Sequence, residues 1–142
     1  MKKIVLFIVL AIAGMLAGTQ QAQAQCDSTT KMITRHIVPP FVSDGQTYRA
    51  LVLSNQTAEF QATFFAGSTY RIAAGTGTTE GNLIFSVYDQ DHNLLFTNSQ
   101  HSNAPYWDFR VNTTVNVIIE ATLNPASGKE SGCAILLIGF KQ

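Results

Sequence analysis

Signatures of catalysis are missing from this chain: there is no Gly-x-Ser-x-Gly elbow, no His-Glu-x-x-His, and no glycine-rich phosphate loop following a strand. Charge is scarce as well, at 13% of residues, with nine basic residues matched by nine acidic ones. That balance provides no basic stripe for nucleic acid or for an anionic membrane surface. With three histidines and two cysteines, the sequence shows no cluster spaced to hold a soft metal. A thin all-β domain of this size also leaves little room for a deep pocket. The expectation from these absences is a protein that is not an enzyme and has no resident cofactor.

The amino end has a clear layout. Lys2 and Lys3 precede an apolar run from Ile4 to Ala17, and Ala22-Gln23-Ala24 follows. This is the order of a secretory signal peptide with an A-x-A cleavage site, predicting a leader over residues 1–24 and a single domain over residues 25–142. The run falls short of the roughly 20 apolar residues that span a bilayer, so no stable membrane insertion is expected after cleavage. Gln23-Ala24-Gln25 before Cys26 lacks the small or aliphatic residues expected at a lipid-attachment site. Without Lys2 and Lys3, seven basic residues face nine acidic ones, a net charge near −2. The leader sends Cys26 and Cys133 to an oxidising compartment, secreted or periplasmic, where a disulfide between them is the natural reading.

Beyond the leader, helical periodicity is hard to find. Runs of β-branched and aromatic residues, broken by Gly, Asn, Asp, Ser and Pro about every ten residues, predict an all-β fold, a single antiparallel sandwich of eight or nine strands. Strands are expected over Thr34–Val38, Thr47–Leu53, Glu59–Phe64, Thr69–Ala73, Leu83–Tyr88, Leu94–Thr97, Tyr106–Val111, Thr114–Leu123 and Cys133–Phe140, with Pro39-Pro40 separating the first two. Alternation puts Phe60, Ala62 and Phe64 on one face and Glu59, Gln61 and Thr63 on the other. In the same way Val115, Val117, Ile119 and Ala121 face inward. The last run, CAILLIGF, is apolar on both faces, so it is either central and covered twice or meets a partner on its outer side.

VYDQDHNLLF, Val87 to Phe96, places Asp89, Asp91 and Asn93 at alternate positions. These match positions 1, 3 and 5 of a helix-loop-helix calcium loop, but position 6 is Leu94 rather than glycine and position 12 is Gln100 rather than glutamate. The competing reading is a hairpin turn, because Asp and Asn tolerate left-handed backbone and bond their own main chain. Asp89, Asp91 and Asn93 stand as candidate calcium ligands against that turn.

FFAGSTYRIAAG (Phe64 to Gly75), LIFSVYDQDHNLLF (Leu83 to Phe96) and YWDFRVNTTVNVIIEA (Tyr106 to Ala121) come in an order that resembles small jelly-roll-like sandwiches, the pre-peptidase C-terminal and GOLD domains. APYWDF with the ending SGCAILLIGFK is similar to small uncharacterised secreted proteins of the Bacteroidota. The resemblance implies an envelope or secreted location and an interaction or accessory role without catalytic residues.

HSNAPYWDFR remains, and it is rich in groups that recognise partners. If Trp107, Phe109 and Val111 share the core face, Tyr106, Asp108 and Arg110 form an outer row. With His101 in the preceding loop, this row is the expected binding surface for an envelope protein. The alternative is a carbohydrate-binding module that stacks a glycan on Tyr106 and Trp107, with or without calcium at Asp89, Asp91 and Asn93. Two sequons, at Asn55 and Asn112, carry meaning only in a eukaryotic secretory route.

Overall fold

Strand β9, Ser131–Lys141, runs through the middle of the molecule and is wrapped on both faces. The structure is a computed structural model describing residues 23–142, so the expected leader lies almost wholly outside the described residues. The other strands are β1 (Val42–Ser43), β2 (Tyr48–Leu53), β3 (Ala58–Phe64), β4 (Thr69–Gly75), β5 (Leu83–Tyr88), β6 (Leu94–Thr97), β7 (Tyr106–Arg110) and β8 (Val115–Leu123). One sheet has the order β2-β9-β4-β7, with β1 also pairing on the β2 side of β9; the other has the order β3-β8-β5-β6. All pairings are antiparallel, and the chain crosses between the sheets as in a jelly roll. The all-β sandwich predicted from alternation is the fold observed.

Alternation decides the faces because successive side chains in a strand point to opposite sides. Ala134, Leu136 and Ile138 of β9 enter the core between the sheets, where they join Val52, Ile72, Phe85 and Ile119. Cys133, Ile135 and Leu137 point the other way and are covered by Met32, Ile33, Ile37 and Cys26. The two apolar faces of CAILLIGF therefore meet two different layers of the same chain.

That third layer corrects the sequence reading. Residues 23–34 are helical (α1), and no strand forms over Thr34–Val38. Four hydroxyls of α1 are satisfied within it, at a slight cost to the helix: Ser28, Thr29, Thr30 and Thr34 each donate to the carbonyl four residues back, at 2.7 to 3.0 Å. Ile33 is fully buried, which contributes about 2 to 3 kcal/mol of hydrophobic stabilisation. The helix lies so near the sheet that a Cβ on Gly75 would sit 2.5 Å from Ile33 Cδ1, and just past the helix one on Gly139 would sit 3.0 Å from Ile37 Cγ2. The Cys26–Cys133 disulfide fastens α1 to β9 across a sequence separation of 107 residues, as the two cysteines predicted.

Candidate functional site

The site is built on β7, an edge strand of its sheet, whose outer side has no strand partner among the described residues. Its entry is set by Asn98, which has no exposed surface. Asn98 Oδ1 accepts from the Phe85 amide at 3.0 Å, and its Nδ2 donates to the carbonyls of Leu83 (3.1 Å) and Ala104 (3.0 Å). One side chain thus ties the β6–β7 connection to β5. The Ala74 amide then donates to the Pro105 carbonyl at 2.8 Å, continuing the β4–β7 pairing to the last residue before Tyr106.

Alternation along β7 follows the expected pattern. Trp107 and Phe109 turn toward the core, Val111 is buried beyond the strand end, and Tyr106, Asp108 and Arg110 are exposed. Trp107 is half-buried, with the Phe96 ring centroid 5.1 Å away and that of His101 4.2 Å away. The indole therefore packs against neighbouring rings rather than standing as an open platform, and His101, an exposed residue, lies in this aromatic stack.

The outer row gains partners that sequence reasoning missed. Opposite Asp108 on β4 is Arg71, whose Nε and Nη2 donate to Asp108 Oδ1 and Oδ2 at 2.6 and 2.9 Å. Its Nη1 donates to the His36 carbonyl at 3.0 Å. The guanidinium carbon lies 4.2 Å from the Phe41 ring centroid and 4.5 Å from that of Tyr106. The bond to Asp108 raises the Arg71 pKa further above its ordinary value, so the cation is permanent. His36 packs its ring 4.9 Å from Tyr106 and bonds Glu80 through Nε2 at 2.8 Å. Tyr106 keeps 38% of its surface exposed and, with Ala104, Pro105, Trp107 and Asp108, lines a surface groove of about 530 Å³. The fork between Arg71 and Asp108 was foreseeable only once β4 was paired with β7, because 37 residues separate them.

No family model matches the sequence, and no curated protein matches it. Among solved structures the chain is similar to PliG of Aeromonas hydrophila, a periplasmic lysozyme inhibitor of g-type lysozyme. The likeness has a TM-score of 0.53 at 14% identity and covers 73% of this chain and 90% of that one. At that identity it is a likeness of fold.

Asp89, Asp91 and Asn93 adopt the hairpin turn. Asp89 Oδ1 accepts from the amides of Asp91 (2.9 Å) and Asn93 (2.8 Å), and Oδ2 accepts from Asn93 Nδ2 at 2.9 Å. Those bonds, led by the one from the Asn93 side chain, hold the Asp89 carboxyl below its ordinary pKa. His92 takes the left-handed backbone of the turn, at φ 61°. Strand directions put this turn at the end of the sandwich away from Tyr106, so the structure does not bring the candidate calcium ligands and the candidate glycan platform together. Among the described residues, no group of three or more His, Cys, Asp or Glu side chains is placed to hold a metal ion.

A thin sandwich is expected to leave little room for a deep pocket, and what the far end holds is an open cleft. It measures about 720 Å³ and is bordered by the half-buried Tyr48 and Phe140, with Phe64 and Tyr70 buried beneath them. Burial first, and then the charge and hydrogen bond of Asp44, push the Tyr48 hydroxyl up to about 12.

Proposed function

We propose that this protein is a secreted, non-catalytic module of the cell envelope that binds a protein partner through the outer face of β7 and the loop preceding it. The observation that carries the reading is Tyr106: an exposed ring at a sheet edge, held on an Arg71 guanidinium that Asp108 already fixes by two bonds. Tyr and Arg dominate the energetics of protein interfaces, and side chains ordered before binding lose less entropy when a partner docks. Arg110, exposed and without an ion pair among the described residues, adds a charge that steers an acidic partner toward the same strand. The fold neighbour's description as an inhibitor of an enzyme supports a protein partner over a small substrate.

The test is a crosslinked pull-down from native envelope, comparing the tagged protein with a form carrying Tyr106→Ala and Arg110→Ala. A stoichiometric partner that is recovered by the first and lost by the second supports the reading. Recovery of the same partner by both moves the interface elsewhere, and capture of no protein by either form removes the reading. Because the neighbour inhibits g-type lysozyme, that enzyme is the first purified partner to assay directly.

A further inference from the structure

The cleft at the far end of the sandwich is walled by groups of a particular chemistry. Its floor is the buried Phe64, Tyr70 and Ile138, and the aromatic surface it offers a ligand comes from the exposed Phe65 and the half-buried Tyr48 and Phe140. Carboxamides edge it: Gln46, Gln61, Gln90, Gln142 and Asn116, the last of which accepts from the Thr63 hydroxyl at 2.7 Å. Asp44 is the one charged residue in the lining, and no Lys, Arg or His contributes. Both Asp44 oxygens already have a partner, Oδ1 accepting from the Gln46 amide at 2.8 Å and Oδ2 from the Tyr48 hydroxyl at 3.2 Å. Tyr48, protonated at neutral pH, thereby keeps its oxygen lone pairs free to accept another bond.

This lining discriminates among ligand classes. An anion would find no cation, and its charge would oppose Asp44. A cation would find Asp44 as its single counter-charge, each oxygen of which already accepts one bond. A wholly apolar ligand would strip water from the carboxamides and return no hydrogen bond, a cost of about 1 to 3 kcal/mol for each group left unpaired. A neutral polyhydroxylated ring meets every requirement: its C–H face packs on aromatic rings, and its hydroxyls both donate and accept, as carboxamides do. The volume lies within the range of small-ligand sites. We infer that the cleft between β2, β3 and the end of β9 is a binding site for a neutral saccharide, independent of the β7 face and at the opposite end of the domain.

The experiment is a titration of the purified protein with a panel of neutral oligosaccharides, followed by backbone amide NMR shifts, with tetramethylammonium and inorganic phosphate as charged probes. The expected result is saturable shifts from at least one saccharide, centred on Ala62–Phe64 and Val115–Val117. Gln61→Ala combined with Gln46→Ala, both at exposed positions, then weakens that binding roughly tenfold, the scale of one or two hydrogen bonds, with no change in thermal midpoint. Tyr106→Ala leaves it unaltered, which separates this site from the protein-binding face. Three results overturn the inference: no saccharide shifts these residues, saccharide shifts gather instead at Tyr106, or a charged probe alone saturates the cleft.

Discussion

Arg71 and Asp108 face each other across the β4–β7 ladder and meet as two parallel hydrogen bonds, Nε to Oδ1 at 2.6 Å and Nη2 to Oδ2 at 2.9 Å. An exposed ion pair contributes little on its own, but a two-point fork on adjacent strands fixes the guanidinium plane. The fixed plane is what Phe41 and Tyr106 rest on.

Arg71→Lys keeps the charge and loses the fork. The expected outcome is a loss of about 1 to 2 kcal/mol in urea unfolding, since a lysine makes neither the paired bonds nor the flat stacking surface. A double-mutant cycle with Tyr106→Ala should then show positive coupling between the two positions.

Asn98→Ala leaves the Phe85 amide without its acceptor and the Leu83 and Ala104 carbonyls without their donor. A cost of about 2 to 4 kcal/mol follows from orphaning buried backbone groups. Amide hydrogen exchange over residues 98–105 should accelerate before that of β5, because the side chain joins the two.

Replacing Cys26 and Cys133 together by alanine removes a closure spanning 107 residues. Chain entropy places the loss at about 3 to 5 kcal/mol, read by chemical denaturation. Protection from exchange should fall first in residues 26–34, as α1 is the element that the bond holds against β9.

Gly75→Ala tests how closely α1 approaches the sheet. The added methyl meets Ile33 Cδ1 at 2.5 Å, and overpacking of this kind costs about 1 to 3 kcal/mol. Ile33→Val, which shortens the opposing side chain, should recover part of that loss in the double variant.

Alkaline pH should weaken the fold through Tyr48. Its folded-state pKa is raised to about 12 from 10.0, so the folded chain holds the proton more tightly than the unfolded chain. The resulting stabilisation is complete below pH 10 and disappears as pH rises toward 12; two pKa units correspond to about 2.7 kcal/mol, and solvent screening of this partly exposed group brings the contribution below that. Tyr48→Phe should flatten the fall in stability over that window, measured against the parent.

Strands were legible wherever one face is wet. Leu83–Tyr88 and Leu94–Thr97 form over the predicted residues, and β3 and β8 differ from prediction by one residue at one end, because alternation at period two survives in FQATF and VNVIIEA. Helix α1 was concealed by its composition. Its buried stripe, Cys26, Thr29, Ile33 and onward to Ile37, has helical spacing, but a threonine occupies one of its positions and four hydroxyl residues lower its helix propensity. Packing on β9 outweighs that propensity. The binding row was half legible: alternation exposed Tyr106, Asp108 and Arg110, while Arg71, Phe41 and His36 come from other elements and only strand pairing brings them in. The cleft gave no local signal, since its walls are drawn from β2, β3, β8 and β9 together.

Strand β9 also fixes when the domain can form. It is made after every strand it pairs with, and it lies between β1 and β2 on one side and β4 on the other. Until Ser131–Lys141 has been synthesised, those strands have no common neighbour, α1 has no surface to cover, and Cys26 has no thiol to meet. The growing chain therefore lacks the β2-β9-β4-β7 sheet until β9 is made, whereas the β3-β8-β5-β6 sheet can close as soon as β8 is present, and this non-local dependence on β9 slows completion of the fold.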